Sequence, residues 1–101
     1  MMRSEKAFTW SNAKNEHLKA TRLVSFEEVL AHMATGDILD IIEHPNQEKY
    51  GGQKILIVRM RQYAWLVPFV ETEDRITFVT IIPSRKATKR YLEHEEATDQ
   101  T

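Results

Sequence analysis

Residues 76–91, ITFVTIIPSRKATKRY, constrain the fold more than any other part of this chain. The segment begins with a β-branched apolar run, 76–82, whose composition is typical of a buried strand. Pro83 cannot donate a hydrogen bond to a sheet, so the strand is expected to stop there. Ser84 is a favourable N-cap, and the residues behind it lack glycine and proline. The sequence therefore predicts a strand that leads directly into a helix.

The predicted helix has two different sides. Ala87 and Tyr91 lie one turn apart and form a packing face, while the basic residues share another arc: Arg85, Lys86, Lys89 and Arg90. Near a helix N-terminus the backbone N–H groups favour anions, so this cationic arc suits phosphate. The alternative is a solvated face that keeps the protein soluble. The residues alone leave both interpretations open.

Composition limits the class of protein. The chain has 101 residues, 42% of them hydrophobic and 29% charged, which predicts one globular domain over 1–101 with a disordered tail after about residue 97. There is no cysteine, which removes disulfides, thiol nucleophiles and thiolate metal sites. No apolar run approaches about 18 residues and no signal-peptide core is visible, so a cytoplasmic location without membrane contact is expected.

The helices are predicted from their capping residues. Ser11 precedes a helix over 12–22, whose apolar face is read as Ala13, Ala20 and Val24, with His17 packing among them. A capping box formed by Ser25 and Glu28 begins a second helix, and Gly36 is placed to end it. In this helix His32 is expected at the surface.

The remaining pattern predicts strands. A short first strand is predicted at 8–10, and four longer strands are predicted at 37–43, 54–60, 63–70 and 76–82. The breaks between them are short, which indicates an antiparallel meander, and Pro68 suggests an edge strand or a bulge. The predicted fold class is α+β, with two N-terminal helices, a mostly antiparallel four-stranded sheet and a C-terminal helix.

The common catalytic motifs are absent, and the histidines lack ligand spacing, so neither a metal nor a cofactor is expected. The remaining chemistry is cationic and aromatic. Arg59, Arg61 and Tyr63 alternate along a strand and are expected to share a face that grips phosphates and stacks on an unpaired base. Arginine also stabilises charge during attack of a 2′-oxygen on its phosphate. The alternative is a charged outer face, and Trp65 is expected to be buried.

Two blocks resemble a known family: FTWSNAKNEHL…VSFEE over 8–28 and IIPSRKATKRY over 81–91. They are similar to the BrnT family of bacterial toxins, which belong to the RelE-like ribonuclease fold. The resemblance implies a type II toxin that cleaves RNA without metal, on or off the ribosome, and so inhibits translation. It also implies a ribbon-helix-helix antitoxin as partner, through which the pair would bind operator DNA.

The resemblance also implies site residues. The catalytic group would be Arg59, Arg85 and Lys86. Beyond the resemblance, we expect RNA to be bound by Arg22, Arg61, Tyr63, Lys89, Arg90 and His44, with Tyr63 or His44 as candidates for stacking or proton transfer. The family often has lysine–histidine where this chain has Thr21 and Arg22, and an arginine is a poor general base. The segment before residue 54 also departs from the family, so His44, Tyr50 and Lys54 are candidates for a separate site.

Two other functions remain open. One is a non-catalytic, degenerate toxin-like module that binds an antitoxin protein or RNA, favoured by the missing histidine and by the net charge of −1. The other is a structural partner protein with no RNA affinity. Salt-dependent RNA binding without cleavage would identify the first of these.

Overall fold

The computed structural model describes residues 6–93. The strands are β1 (Ala7–Thr9), β2 (Ile38–Glu43), β3 (Gln53–Met60), β4 (Tyr63–Glu71), β5 (Arg75–Phe78) and β6 (Ile82–Pro83). The helices are α1 (Asn12–Arg22), α2 (Phe26–Ala34) and α3 (Arg85–Thr88), and α3 continues as a π-helical turn over Lys89–Glu93. The fold class is α+β, as predicted. The tail after residue 97 lies outside the described residues, and none of the helices described is long and apolar enough to cross a membrane.

The sheet is mixed and has six strands, in the order β1-β5-β4-β3-β2, with β6 also paired to β4. The antiparallel meander from β2 to β5 is confirmed. The prediction of four strands is wrong, because β1 adds to β5 in parallel and the predicted strand 76–82 is divided into two. The strand also does not stop before Pro83, because Pro83 lies in β6 and pairs with Trp65 of β4.

The division of that strand explains how Pro68 is accommodated. Pro68 lies in β4, an inner strand, and not at the sheet edge. Its ring nitrogen faces the gap between the last residue of β5 and the first of β6, where no strand partner needs an N–H donor. Its carbonyl accepts from the Val79 N–H at 2.8 Å. A proline is therefore tolerated here because β4 lacks a partner strand on that side between β5 and β6.

Helices cover both faces of the sheet, unequally. We call the first the α1–α2 face. Its buried cluster consists of Leu18, Val24, Phe26, Val29, Leu56, Val58, Met60, Trp65, Val67, Phe69, Phe78 and Ile81. The second is the α3 face, whose buried residues are Ile55, Ile57, Ala64 and Ala87. Burial of Trp65 is confirmed, and its Nε1–H donates to the Met60 carbonyl at 3.0 Å.

Helix α1 has its predicted bounds but a different packing face. Ser11 caps it by accepting from the Lys14 N–H, yet the buried residues are Asn15 and Leu18. The predicted packing positions Ala13, His17 and Ala20 are exposed, so that part of the prediction is wrong. The reason is that Asn15 is buried to bind the next helix: its Oδ1 accepts from the Phe26 N–H at 2.9 Å and its Nδ2 donates to Glu27 at 2.8 Å.

The starts of α2 and α3 are built as predicted. The Ser25 Oγ accepts from the Glu28 N–H at 3.1 Å, and Gly36, with φ of +87°, follows the end of α2. The Ser84 Oγ accepts from the Ala87 N–H at 3.0 Å. A buried threonine, Thr88, then fixes α3 to the sheet.

Candidate functional site

Helix α3 and its π-helical turn carry a group of four cationic side chains. The side chains of Arg85, Lys86, Lys89 and Arg90 are all exposed. Among residues 6–93, no carboxylate lies within ion-pair distance of any of them. The predicted separation of packing and cationic sides is confirmed, since Ala87 and Thr88 are buried against β4. Arg90 lies over the Tyr91 ring, 5.8 Å from its centroid, and the exposed nitrogens of all four side chains can contact anions.

A groove of about 420 Å³ lies between α3 and the sheet. Its apolar lining comprises Ile42, Ile57, Leu66 and Ala87, and Lys86 and Arg90 supply cationic side chains at its margin. This volume is in the range of small-molecule pockets. An apolar floor with cations beside it suits a nucleobase whose phosphate is held at the margin.

A hydrogen bond closes one end of the groove. The Tyr91 hydroxyl donates to Asp40 Oδ2 at 2.7 Å, joining the π-helical turn to β2. This bond lowers the pKa of the Asp40 carboxyl and, with burial, raises the pKa of the Tyr91 phenol. Asp40 is consequently ionised and Tyr91 protonated at neutral pH, which keeps the bond intact.

Arg59 lies on the α3 face, opposite Ala64 on β4. Its Nε and one terminal nitrogen donate to Asp37 Oδ1 at 3.4 and 3.2 Å. Those contacts use only part of the guanidinium, which offers further N–H donors on its free side. Because the side chain is 45% exposed, the remaining donors are open to a ligand.

Backbone pairing brings Arg59 to the same end of the sheet as α3. The N–H of Ala64, the cross-strand neighbour of Arg59, donates to Thr88 Oγ1 at 2.9 Å, and its carbonyl accepts from the Ser84 N–H at 3.0 Å. Two strand spacings of about 4.8 Å separate Arg59 from this first turn of α3. The predicted catalytic residues Arg59, Arg85 and Lys86 thus belong to one end of one face.

Tyr63 and Arg61 lie elsewhere, so the expected shared face is wrong. A two-residue turn, Arg61 and Gln62 with φ of 57° and 62°, pairs Tyr63 with Met60 and not with Arg59. Tyr63 therefore packs on the α1–α2 face. Arg61 donates twice to the Glu28 carboxylate, at 3.0 and 2.9 Å.

Arg22 and His44 are also outside the cationic group. Arg22 donates to the Ile81 carbonyl at 2.6 Å, at the break between β5 and β6. His44 lies in the β2–β3 loop at the opposite end of the sheet, its ring 4.4 Å from that of Tyr50. Of the three candidates for a separate site, His44 and Tyr50 are thus in contact, and Lys54 lies 3.9 Å from Glu71.

Sequence reasoning missed one cluster, at the end of α2. His32 Nδ1 lies 2.8 Å from Asp37 Oδ2, on the same carboxylate that binds Arg59. The available signal was Gly36, because a glycine cap turns the chain back and places the following residue beside the last helical turn. Histidine spacing alone could not reveal the contact, since its partner is an aspartate five residues later.

The chain matches no family model, no curated protein and no solved structure.

Proposed function

We propose that this chain is the toxin of a type II toxin–antitoxin system, a metal-independent RNA endonuclease with a RelE-like fold that inhibits translation in the cytoplasm. The observation that supports this most is the exposed cationic group of α3, which has no carboxylate within ion-pair distance among residues 6–93, beside a groove with an apolar floor. Phosphates would contact the cations and an unstacked base would enter the groove.

In this proposal the chemistry depends on charge stabilisation. Arg59, Arg85 and Lys86 hold the scissile phosphate and stabilise the charge that grows on its oxygens as the 2′-oxygen attacks. Lys89 and Arg90 contact neighbouring phosphates. No cofactor takes part. A ribbon-helix-helix antitoxin inhibits the protein and connects it to operator DNA.

A second function is favoured by a different observation. Three of the predicted site arginines are engaged by other groups of the protein: Arg22 by Ile81, Arg61 by Glu28, and Arg59 in part by Asp37. Fewer free arginines suit a non-catalytic module that binds RNA or an antitoxin but cuts nothing.

The test is expression in a bacterial host with RNA integrity as the readout. Arg85→Ala/Lys86→Ala is compared with Lys19→Ala/Lys49→Ala, which removes the same charge from α1 and from the β2–β3 loop. We expect the wild type and the control to arrest growth and cut RNA, and the α3 variant to do neither. For purified protein, the slope of log K against log salt should fall by about 1.4 in the α3 variant, from two lost single-strand phosphate contacts.

Each other outcome has a distinct meaning. Equal cutting by the wild type and the α3 variant would remove the assigned site. Salt-dependent binding with intact RNA would establish the non-catalytic module. Absence of both binding and cutting would remove RNA as the ligand.

A further inference from the structure

One carboxylate joins an imidazole to a guanidinium at the corner between α2, β2 and β3. Asp37 Oδ2 is 2.8 Å from His32 Nδ1 and accepts from the Thr35 hydroxyl at 3.1 Å. The other oxygen, Oδ1, accepts from Arg59. His32 and Arg59 are thus held by the two sides of one group, although they come from different elements.

The ionisation of Asp37 fixes the state of the imidazole. The hydrogen bond from His32, and then those from Arg59 and Thr35, hold the pKa of the Asp37 carboxyl below its usual range. An ionised carboxylate only accepts hydrogen bonds, so His32 Nδ1 carries the proton in this pair. In the neutral imidazole Nε2 then has a free lone pair, as in nucleophile–histidine–carboxylate sites.

The ring is also accessible. The His32 side chain is 30% exposed, and no protein group among residues 6–93 hydrogen-bonds to its Nε2. A contact that only locked the end of α2 would require neither a free nitrogen nor an arginine with open donors. The neighbouring carboxylates already have hydrogen-bond partners: Glu28 on α2 accepts from Arg61 in the β3–β4 turn, and Asp40 on β2 accepts from Tyr91.

We propose that His32 is the proton-transfer residue for RNA cleavage and that Asp37 is a positioning residue for both His32 and Arg59. This inference rests on the proposed function. It supplies a histidine in a chain that has Arg22 where the resembling family often has one.

The reaction it describes is an internal transesterification. His32 Nε2 accepts the proton of the 2′-hydroxyl, the O2′–P bond forms and the P–O5′ bond breaks, while Arg59 stabilises the charge on the phosphate. The departing 5′-oxygen takes a proton from water, and the imidazolium returns its proton to solvent. The products are a 2′,3′-cyclic phosphate and a 5′-hydroxyl, with no metal, oxidant or reductant required.

The experiment compares His32→Gln with His17→Gln, a matched change at an exposed histidine on α1. The substrate is a single-stranded RNA of defined sequence, with ribosomes added, and both variants are first checked for folding by circular dichroism. We expect His32→Gln to cut at least about 100-fold more slowly at unchanged RNA affinity, and His17→Gln to match the wild type. The wild-type rate should fall in acid, where a proton acceptor is lost, and the His32→Gln rate should not.

A second measurement does not depend on activity. Nitrogen-15 NMR of the His32 imidazole in the full chain should show the Nδ1–H tautomer, and Asp37→Asn should change the tautomer population. An Nε2–H tautomer in the wild type, or undiminished cutting by His32→Gln, would overturn this inference and leave the proposed function standing. A wild type that cuts no RNA would overturn both.

Discussion

The two faces of the sheet differ in the size of the apolar cluster that each buries. The α1–α2 face is closed by a large apolar cluster in which Trp10, Phe26 and Phe78 lie ring against ring, with centroids 5.5 to 6.1 Å apart. The α3 face has a buried apolar cluster of four residues, a short helix and an open groove. Most of the stability therefore comes from one face, and the other is free to carry charge.

Each face nevertheless relies on one buried polar side chain. Asn15 ties α1 to the first turn of α2, and Thr88 ties α3 to β4. Both satisfy a backbone N–H that would otherwise be buried without a partner. The difference between the faces thus lies in apolar area, whereas the polar attachment of the helices follows the same rule on both sides.

The largest expected effect compares apolar truncations on the two faces. Phe26→Ala should lower the free energy of unfolding by about 3–5 kcal/mol, because it empties the centre of the aromatic stack. Leu66→Ala on the α3 face should cost about 1 kcal/mol, since Leu66 is only half-buried. Urea unfolding measures both, and equal losses would show that the α3 face carries as much of the core.

Next is the polar attachment of α3. Thr88→Val keeps the side-chain shape but leaves the buried Ala64 N–H without its acceptor, which should cost about 1–3 kcal/mol. Thr21→Val, at an exposed threonine of α1, is the matched control and should change stability by less than about 0.5 kcal/mol. Thr88→Ser should recover most of the loss, and no recovery would mean that the methyl group matters more than the hydroxyl.

A smaller effect of opposite sign is expected at the β3–β4 turn. Gln62 has φ of 62°, a left-handed conformation that costs a non-glycine residue roughly 1–2 kcal/mol. Gln62→Gly should therefore stabilise the protein, by about 1 kcal/mol after the added flexibility of the unfolded chain. The midpoint of thermal unfolding reports the sign. A lower midpoint would show that the Gln62 side chain makes a contribution that this backbone argument omits.

The last comparison is acid sensitivity. The pKa of the Asp40 carboxyl is lowered in the folded protein, chiefly by the bond from Tyr91. A lowered pKa contributes stability above the unfolded-state value, near pH 4, and that contribution is lost as the pH falls through the folded-state value. Asp40→Asn should therefore lose less stability than the wild type between pH 5 and 3. Glu43→Gln, at the exposed end of the same strand, is the control, and a slope as steep in Asp40→Asn would contradict the assignment.

Local signals in the sequence predicted much of this fold. The caps at Ser11, Ser25 and Ser84 and the glycine after α2 gave the helix bounds because each acts on residues a few positions away. The meander followed from short breaks between apolar runs. In the candidate site, the cations of α3 were predictable for the same reason, whereas the position of Arg59 beside them depends on the pairing of β3 with β4.

The rest depends on contacts between distant residues. The pairing of β1 with β5 cannot be read from residues near either strand. Burial of Asn15 could not be predicted from apolar periodicity, because this polar side chain is buried where it accepts from the first N–H of α2. Arg59 and Tyr63 would point to the same side of one continuous strand. Because a two-residue turn separates them, Tyr63 pairs with Met60 and the two side chains lie on opposite faces of the sheet. His32 needed the turn at Gly36 to meet Asp37.

The parallel pairing of β1 with β5 has a consequence for synthesis of the chain. Thr9 and Thr77, whose hydroxyls lie 2.9 Å apart, are separated by 68 positions. At translation rates of about 5–20 residues per second, β1 is synthesised roughly 3–14 s before its partner strand β5. During that interval the amino-terminal helices have no complete sheet to pack on, because Phe78 and Ile81 of their core are still to come. This fold can therefore be completed only after residue 81 has been synthesised.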